Sequence, residues 1–237
     1  GVQSTTGVTA AEYMERRALA TVEHVPVIAP YVPYLGPESP GVLIDVSAPD
    51  MATLEIEIAK ATAICLEEGA THVEFVVDDA KSDALWDVRK GFFASGGAAR
   101  PKGTSFLTED VAAPVDRLAD FVLDLRKLLD DYNYPEAVII GHALAGNLHF
   151  LMADNFMDPT AVERFDVFNR ALAELVSVRY GGSLKAEHGT GRAIAPFVEA
   201  EWGTAAYAIM HRVKALFDPE GLLNPGVLLN PDKDAHV

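Results

Sequence analysis

Glu136–Ala153 reads EAVIIGHALAGNLHFLMA. Two apolar runs, EAVIIGH at 136–142 and NLHFLMA at 147–153, flank the turn-like ALAG, a pattern that predicts a β-hairpin. That hairpin decides the fold class. Elsewhere predicted strands alternate with predicted helices, which alone would suit a doubly wound parallel sheet. A hairpin is antiparallel by construction. The expected class is therefore α+β, with a largely antiparallel sheet covered by helices (a ferredoxin-like α/β sandwich) and a helical C-terminal part.

Upstream of the hairpin, TSFLTEDVAAPV at 104–115 predicts a strand. Val115–Tyr132 predicts an amphipathic helix with Leu118, Phe121, Leu125 and Leu128 on one face. Earlier still, GVLIDVS at 41–47 is a strand pattern, followed from Met51 by a helix with Asp50 as N-cap and Gly69 as its stop. HVEFVVDD at 72–79 predicts another strand, and SDALWDVRKGFFASGG at 82–97 a short helix. The first forty residues combine a helical pattern at Ala10–Glu23 with a proline-rich run, and read as an extended lead-in. Downstream, Thr160 and Glu163 suggest a capping box for a helix carrying Phe165, Phe168, Leu172 and Leu175. A last helix is expected over Thr204–Phe217, stopped by Asp218-Pro219 and followed by a turn-rich tail. The expected organisation is one domain over 41–230, with the lead-in at 1–40 and a tail at 231–237.

Composition narrows the partners. A chain of 237 residues with 49% apolar content can bury a full core. Its 19 basic against 35 acidic residues give a formal charge of −16, which repels phosphate backbones, so no nucleic-acid partner is expected. Cys65 is the single cysteine, which excludes an intrachain disulfide and a cysteine cage and fits a cytoplasmic setting. No run approaches the roughly 20 apolar residues of a transmembrane helix. Peripheral attachment to the inner membrane through another domain stays open.

The hairpin also carries chemistry. Pairing of its strands can set His142 opposite His149, with Cβ atoms roughly 4.5–5.5 Å apart. Alternation puts Asn147 on the His149 face, and turns Leu148 and Phe150 to the other side. Further on, KAEHGTGR at 185–192 supplies Glu187 and His188 among glycines that permit an irregular backbone. Two histidines and one carboxylate suit a divalent ion such as zinc or manganese, with His142, His149 and Glu187 as ligands. His188 is then left as a general base, its ordinary pKa of about 6.5 being close to neutrality. Against this stands the commoner case, in which two histidines near a turn are merely hydrogen-bonded surface residues.

GHALAGNLHF, GGSLKAEHGTGR and DPEGLLNPG, in that order, resemble the C-terminal catalytic domain of FAD-linked oxidases of the vanillyl-alcohol oxidase type. That group includes D-lactate, glycolate and D-2-hydroxyglutarate dehydrogenases. Leu144 and Ala145 depart from the family's usual GHxGDGNLH pattern and resemble long bacterial members fused to an iron–sulfur domain. The resemblance implies a metal site at His142, His149 and Glu187, with His188 as the catalytic base. It also implies that Arg89, in a Trp-x-x-Arg element beginning at Trp86, pairs with a substrate carboxylate, with Arg100 and Lys102 as weaker candidates. Asn147 and Asn224 are the expected contacts to substrate or flavin.

The function so implied is oxidation of a small D-2-hydroxy acid, D-lactate or D-2-hydroxyglutarate, to the 2-oxo acid. FAD would be held mainly by a separate FAD-binding domain. An iron–sulfur cluster in the parent chain and an electron-acceptor partner belong to the same expectation. Nothing before Gly41 is long enough to supply the FAD-binding domain, so the chain is expected to be a partial one that does not turn over alone. Two other readings share the residues: a metal-dependent hydrolase, and a non-catalytic binding module of the same fold.

Overall fold

The computed structural model describes residues 7–237. In chain order its elements are β1 (Val8–Met14), α1 (Arg16–Val22), β2 (Gly41–Val46), α2 (Met51–Glu67), α3 (Asp79–Ala99), β3 (Ser105–Ala112), α4 (Leu118–Asp131), β4 (Val138–His142), β5 (Asn147–Asp154), α5 (Pro159–Ala173), α6 (Gly191–Ile194) and α7 (Val198–Phe217). Helices and strands are mixed and every strand ladder with a defined register is antiparallel, as the α+β class requires. Among the described residues, no helix is long and apolar enough to cross a membrane. The chain divides into two compact units, Gly1–Arg100 with Val138–Ala145, and Pro101–Ala137 with Gly146–Val237.

In the first unit β1 is flanked by two partners. Glu12 faces Leu43 of β2 on one side and His142 of β4 on the other. This corrects the first half of the helix expected over Ala10–Glu23, whose second half is α1. Alanine and glutamate favour a helix locally, but two ladders outweigh a propensity worth tenths of a kcal/mol per residue. The lead-in is thus not extended coil: residues 8–14 form a strand, a 3₁₀ turn occupies Ala29–Tyr34, and residues 1–6 lie outside the described part. α1 packs on β4 through Ala18, Leu19 and Val22. The strand expected at 72–79 is also absent. Residues 72–78 have no regular structure; their side chains are held instead by the His72 ring stacked 3.9 Å from Tyr34 and by Glu74 on Lys81 at 2.6 Å.

In the second unit β3 and β5 pair over their full length, from Ser105↔Asp154 to Ala112↔Asn147. α4 and α5 pack together, burying Phe121, Leu125, Leu129, Phe168 and Leu172, with Phe150 of β5 meeting Phe168 edge-on at 5.9 Å. Each such side chain contributes roughly 1.5–3 kcal/mol. Asp158 caps α5 by accepting from Thr160 N at 2.9 Å, so the cap lies two residues before the expected Thr160. α5 runs on into a π-helical turn, Glu174–Arg179. α7 begins before the expected Thr204 but breaks at Gly203, whose φ of 79° is not helical. Asp218 ends α7 by accepting from Lys214 Nζ and from Leu222 and Leu223 N at 2.8 Å each; Lys214 first, and then those amides, hold its pKa at about 2.

A strap follows the π turn. Ser183 bridges Ala112 with both backbone hydrogen bonds at 2.9 Å, and Glu201 of α7 accepts from Ser183 Oγ at 2.8 Å and Leu184 N at 3.0 Å. Lys185–His188 is thereby carried along β3. Gly182 is required here, because an added Cβ would lie 2.1 Å from Ala112 O. Gly181 beside it has φ 62° but open space around its Cβ position. Gly182→Ala is expected to cost about 2–3 kcal/mol in denaturant unfolding through the clash, and Gly181→Ala about 1 kcal/mol through backbone strain. Equal, small losses for both would contradict the bridge between strap and β3.

Candidate active site

The side chains of the second unit converge on Asp110. It sits near the end of β3 with 0% exposure, directly across from His149 in the register. Its Oδ1 accepts from Asn147 Nδ2 at 2.6 Å. Its Oδ2 accepts from the backbone N–H groups of Glu187 at 2.6 Å and His188 at 2.9 Å. His149 Nδ1 stands 3.5 Å from Oδ1. Burial alone would raise the Asp110 pKa. The amides of His188 and Glu187, then Asn147, and then the nearby His149 outweigh it and hold the carboxyl below its ordinary value. One buried carboxylate thus ties the strap to both strands.

On this base the titratable groups are set. His149 is 7% exposed and its Nε2 lies 3.1 Å from Glu187 Oε1. The rings of His149 and His188 stack at 4.9 Å with 15° between planes. Glu187 and His188 present half-exposed side chains, 50% and 43%, so solutes reach them. Ligand-capable atoms of Asp110, His149 and His188 also lie within 4.8 Å of one another. Both Asp110 oxygens already accept hydrogen bonds, so it is better suited to fixing the others than to binding an ion. Two ligands of one tetrahedral zinc at ordinary bond lengths are about 3.3 Å apart, and the 3.1 Å between His149 Nε2 and Glu187 Oε1 fits that donor pair.

The remaining expected residues have these surroundings. Asn147 is 4% exposed and spends Nδ2 on Asp110 and on Val111 O at 3.1 Å, so its amide group braces the site from within. Asn224 is exposed, with φ 43°, and its carbonyl accepts from Val227 N in a turn. In the first unit His142 is not opposite another histidine in its ladder with β1; its cross-strand partner is Glu12, whose Oε1 lies 2.8 Å from His142 Nδ1. Arg89, in α3, is 9% exposed and pairs through Nη2 with Glu12 Oε2 at 2.8 Å. Arg100 Nη1 donates to Gly97 O at 2.5 Å at the end of α3, and Lys102 is exposed.

Asp110 and Glu12 are two buried carboxylates in contact with candidate site residues that sequence reasoning missed. A charge in the middle of the apolar strand TEDVA was a usable signal for Asp110. Glu12 was hidden by the helical reading of its segment.

The sequence profile of the family FAD linked oxidases, C-terminal domain, matches residues 2–228. The chain belongs to this family. Family membership supports FAD as the cofactor of the chemistry. The glycolate oxidase subunit GlcD of Bacillus subtilis is 30% identical over 187 residues, covering 78% of this chain and 38% of that protein. A D-2-hydroxyglutarate dehydrogenase of Pseudomonas putida is 38% identical over 123 residues, 52% of this chain and 12% of the relative. A probable mitochondrial D-lactate dehydrogenase of Danio rerio is 28% identical over 177 residues, 75% and 35% respectively. The chain therefore spans between about one tenth and two fifths of these relatives. In structure, the 4-ethylphenol oxidase of Gulosibacter chungangensis matches over 94% of this chain and 48% of its own, with a TM-score of 0.55 at 14% identity, a likeness of fold.

The lowered Asp110 pKa has a direct consequence for acid stability. A carboxylate whose folded pKa is depressed stabilises the fold above its unfolded value, near 3.8, and that stability is lost as pH falls through the folded value. Asp110→Asn is expected to remove this part of the pH dependence below about pH 4, and to cost on the order of 2–4 kcal/mol near neutrality by turning an amide toward two amides. Denaturant unfolding across pH 2–7 checks both; parallel curves for the two proteins would contradict the assignment.

Proposed function

We propose that this chain is the substrate and metal domain of an FAD-dependent dehydrogenase that oxidises a small D-2-hydroxy acid to the 2-oxo acid, with D-lactate or D-2-hydroxyglutarate the leading substrates. The observation that carries this reading is the 3.1 Å approach of His149 Nε2 to Glu187 Oε1 with the His188 ring stacked beside it. Those two donors would hold a divalent ion, zinc or manganese. The motif resemblance makes His142 a ligand as well. When bound, the ion supplies a Lewis acid for the hydroxyl and carboxylate oxygens of the substrate, and the flavin supplies the acceptor for two electrons.

The chain's own residues supply the proton chemistry and the positioning. His188, held by its backbone N–H on Asp110 while its ring stays accessible, takes the hydroxyl proton on an imidazole nitrogen. His149 is kept from rotating by its stacking on His188 and by Asp110 on its Nδ1 side. The resemblance assigns Arg89 to the substrate carboxylate. Its Nε is buried without a hydrogen-bond acceptor, which leaves a donor for one more oxygen. The relatives, a glycolate oxidase subunit, a D-2-hydroxyglutarate dehydrogenase and a probable D-lactate dehydrogenase, support a 2-hydroxy acid as the class. Membership of an oxidase family leaves the hydrolytic reading without support.

The test uses the parent protein with its FAD-binding part, an artificial electron acceptor and a panel of 2-hydroxy acids. Turnover of a D-2-hydroxy acid is expected, lost on chelation and restored by zinc or manganese. His188→Ala is expected to lower kcat by roughly 10²–10⁴-fold while KM changes little. Glu187→Ala should lose the ion in elemental analysis. Full activity in the chelated protein, or in His188→Ala, would overturn the assignment.

A further inference from the structure

Glu12 is a buried carboxylate on a central strand, and both of its oxygens are committed to residues that carry site assignments. It is 6% exposed. Oε1 lies 2.8 Å from His142 Nδ1, and Oε2 lies 2.8 Å from Arg89 Nη2. The backbone fixes the first contact, since Glu12 and His142 are register partners across β1 and β4. Taking a carboxylate out of water is costly unless charge and hydrogen bonds replace its solvation. A glutamate needed only to neutralise buried Arg89 would require one oxygen. Here the second is turned onto an imidazole nitrogen.

We propose that Glu12 is a positioning residue: it fixes the His142 ring and its tautomer, with the proton on Nδ1. The chemistry follows from the donor inventory. A carboxylate ion-paired with a guanidinium accepts hydrogen bonds and does not donate, so a 2.8 Å contact to Nδ1 places the ring proton there and the lone pair on Nε2. An imidazole in this tautomer carries its lone pair on Nε2, the atom that a base or a metal ligand uses. Carboxylate partners on the far nitrogen are the usual means of orienting metal-binding histidines. Arg89 plays its part from the other side. Its contact to Oε2 is an ion pair without an aligned hydrogen bond, yet it holds the carboxylate plane on the histidine. The consequence for metal binding rests on the proposed function, through the reading of His142 as a ligand. The tautomer itself does not.

Nitrogen-15 histidine NMR on this chain, in the presence of a chelator so that no ion imposes the tautomer, reads the proposal directly. His142→Gln identifies the resonance. Wild type is expected to show the Nδ1–H form of His142, and Glu12→Gln is expected to move it toward the Nε2–H form that prevails in unconstrained imidazoles. An Nε2–H ring in wild type overturns the proposal, and this reading needs no variant that might fail to fold. An Nδ1–H ring that persists in folded Glu12→Gln overturns it as well. In the parent protein, zinc affinity measured against a chromophoric chelator is expected to fall 10–100-fold in Glu12→Gln. The expected tautomer shift with unchanged zinc affinity would support Glu12 as the positioning residue and remove His142 from the proposed ligand set.

Discussion

The second unit depends on one carboxylate that has no access to water. Asp110 is fully buried, and its stability there comes from two backbone amides of the strap and one side-chain amide of β5. Each of those hydrogen bonds also fixes something else. The amides belong to Glu187 and His188, so binding Asp110 sets where both side chains leave the backbone. Asn147 is two residues from His149 on the same face of its strand. The bond to a charged acceptor is stronger than a neutral one, and the arrangement is over-determined: Gly182 permits the close approach to Ala112, and Glu201 holds Ser183 and Leu184. A site assembled from an irregular strap acquires in this way the rigidity of a sheet.

In the first unit Glu12 stands between Arg89 and His142. Both units therefore follow one physical rule. An acidic group is buried on a strand where hydrogen bonds and ion pairs replace its solvation, and the partners that supply them are candidate site residues. This use of charge runs against the chain's surplus of 35 acidic over 19 basic residues, which disfavours anionic solutes over most of the surface. An anionic substrate needs concentrated positive charge to overcome that field. In the proposed function, a divalent ion and the buried Arg89 guanidinium would provide it.

Much of this was legible in the sequence where local pattern and tertiary demand agree. The runs at 136–142 and 147–153 form β4 and β5, Asp50 caps α2 by accepting from Thr53 N at 2.8 Å, and Asp218 ends α7. Asn147, His149, Glu187 and His188 were singled out by residue type and spacing, and the fold brings these four together around Asp110. What stayed illegible was partner choice. Val8–Met14 has the composition of a helix and becomes a strand because β2 and β4 flank it. His72–Asp79 has the composition of a strand and finds no ladder. The defined registers set a carboxylate across from each histidine, Glu12 from His142 and Asp110 from His149, and nothing in the spacing of the histidines announces either. Long-range pairing is not encoded in periodicity, so the partners that Glu12 and Asp110 find are visible only in three dimensions.

In the proposed function, Asp110 arranges His149 and Glu187 as a ligand pair for one divalent ion. Anomalous diffraction at the zinc edge, on crystals of the parent protein grown with zinc, tests it most directly. A single strong anomalous peak is expected within about 2.0–2.2 Å of both His149 Nε2 and Glu187 Oε1, with Asp110 still on the strap amides. A protein in which those two atoms stay in direct contact with no peak between them, or in which the ion lies on Asp110 instead, would contradict it.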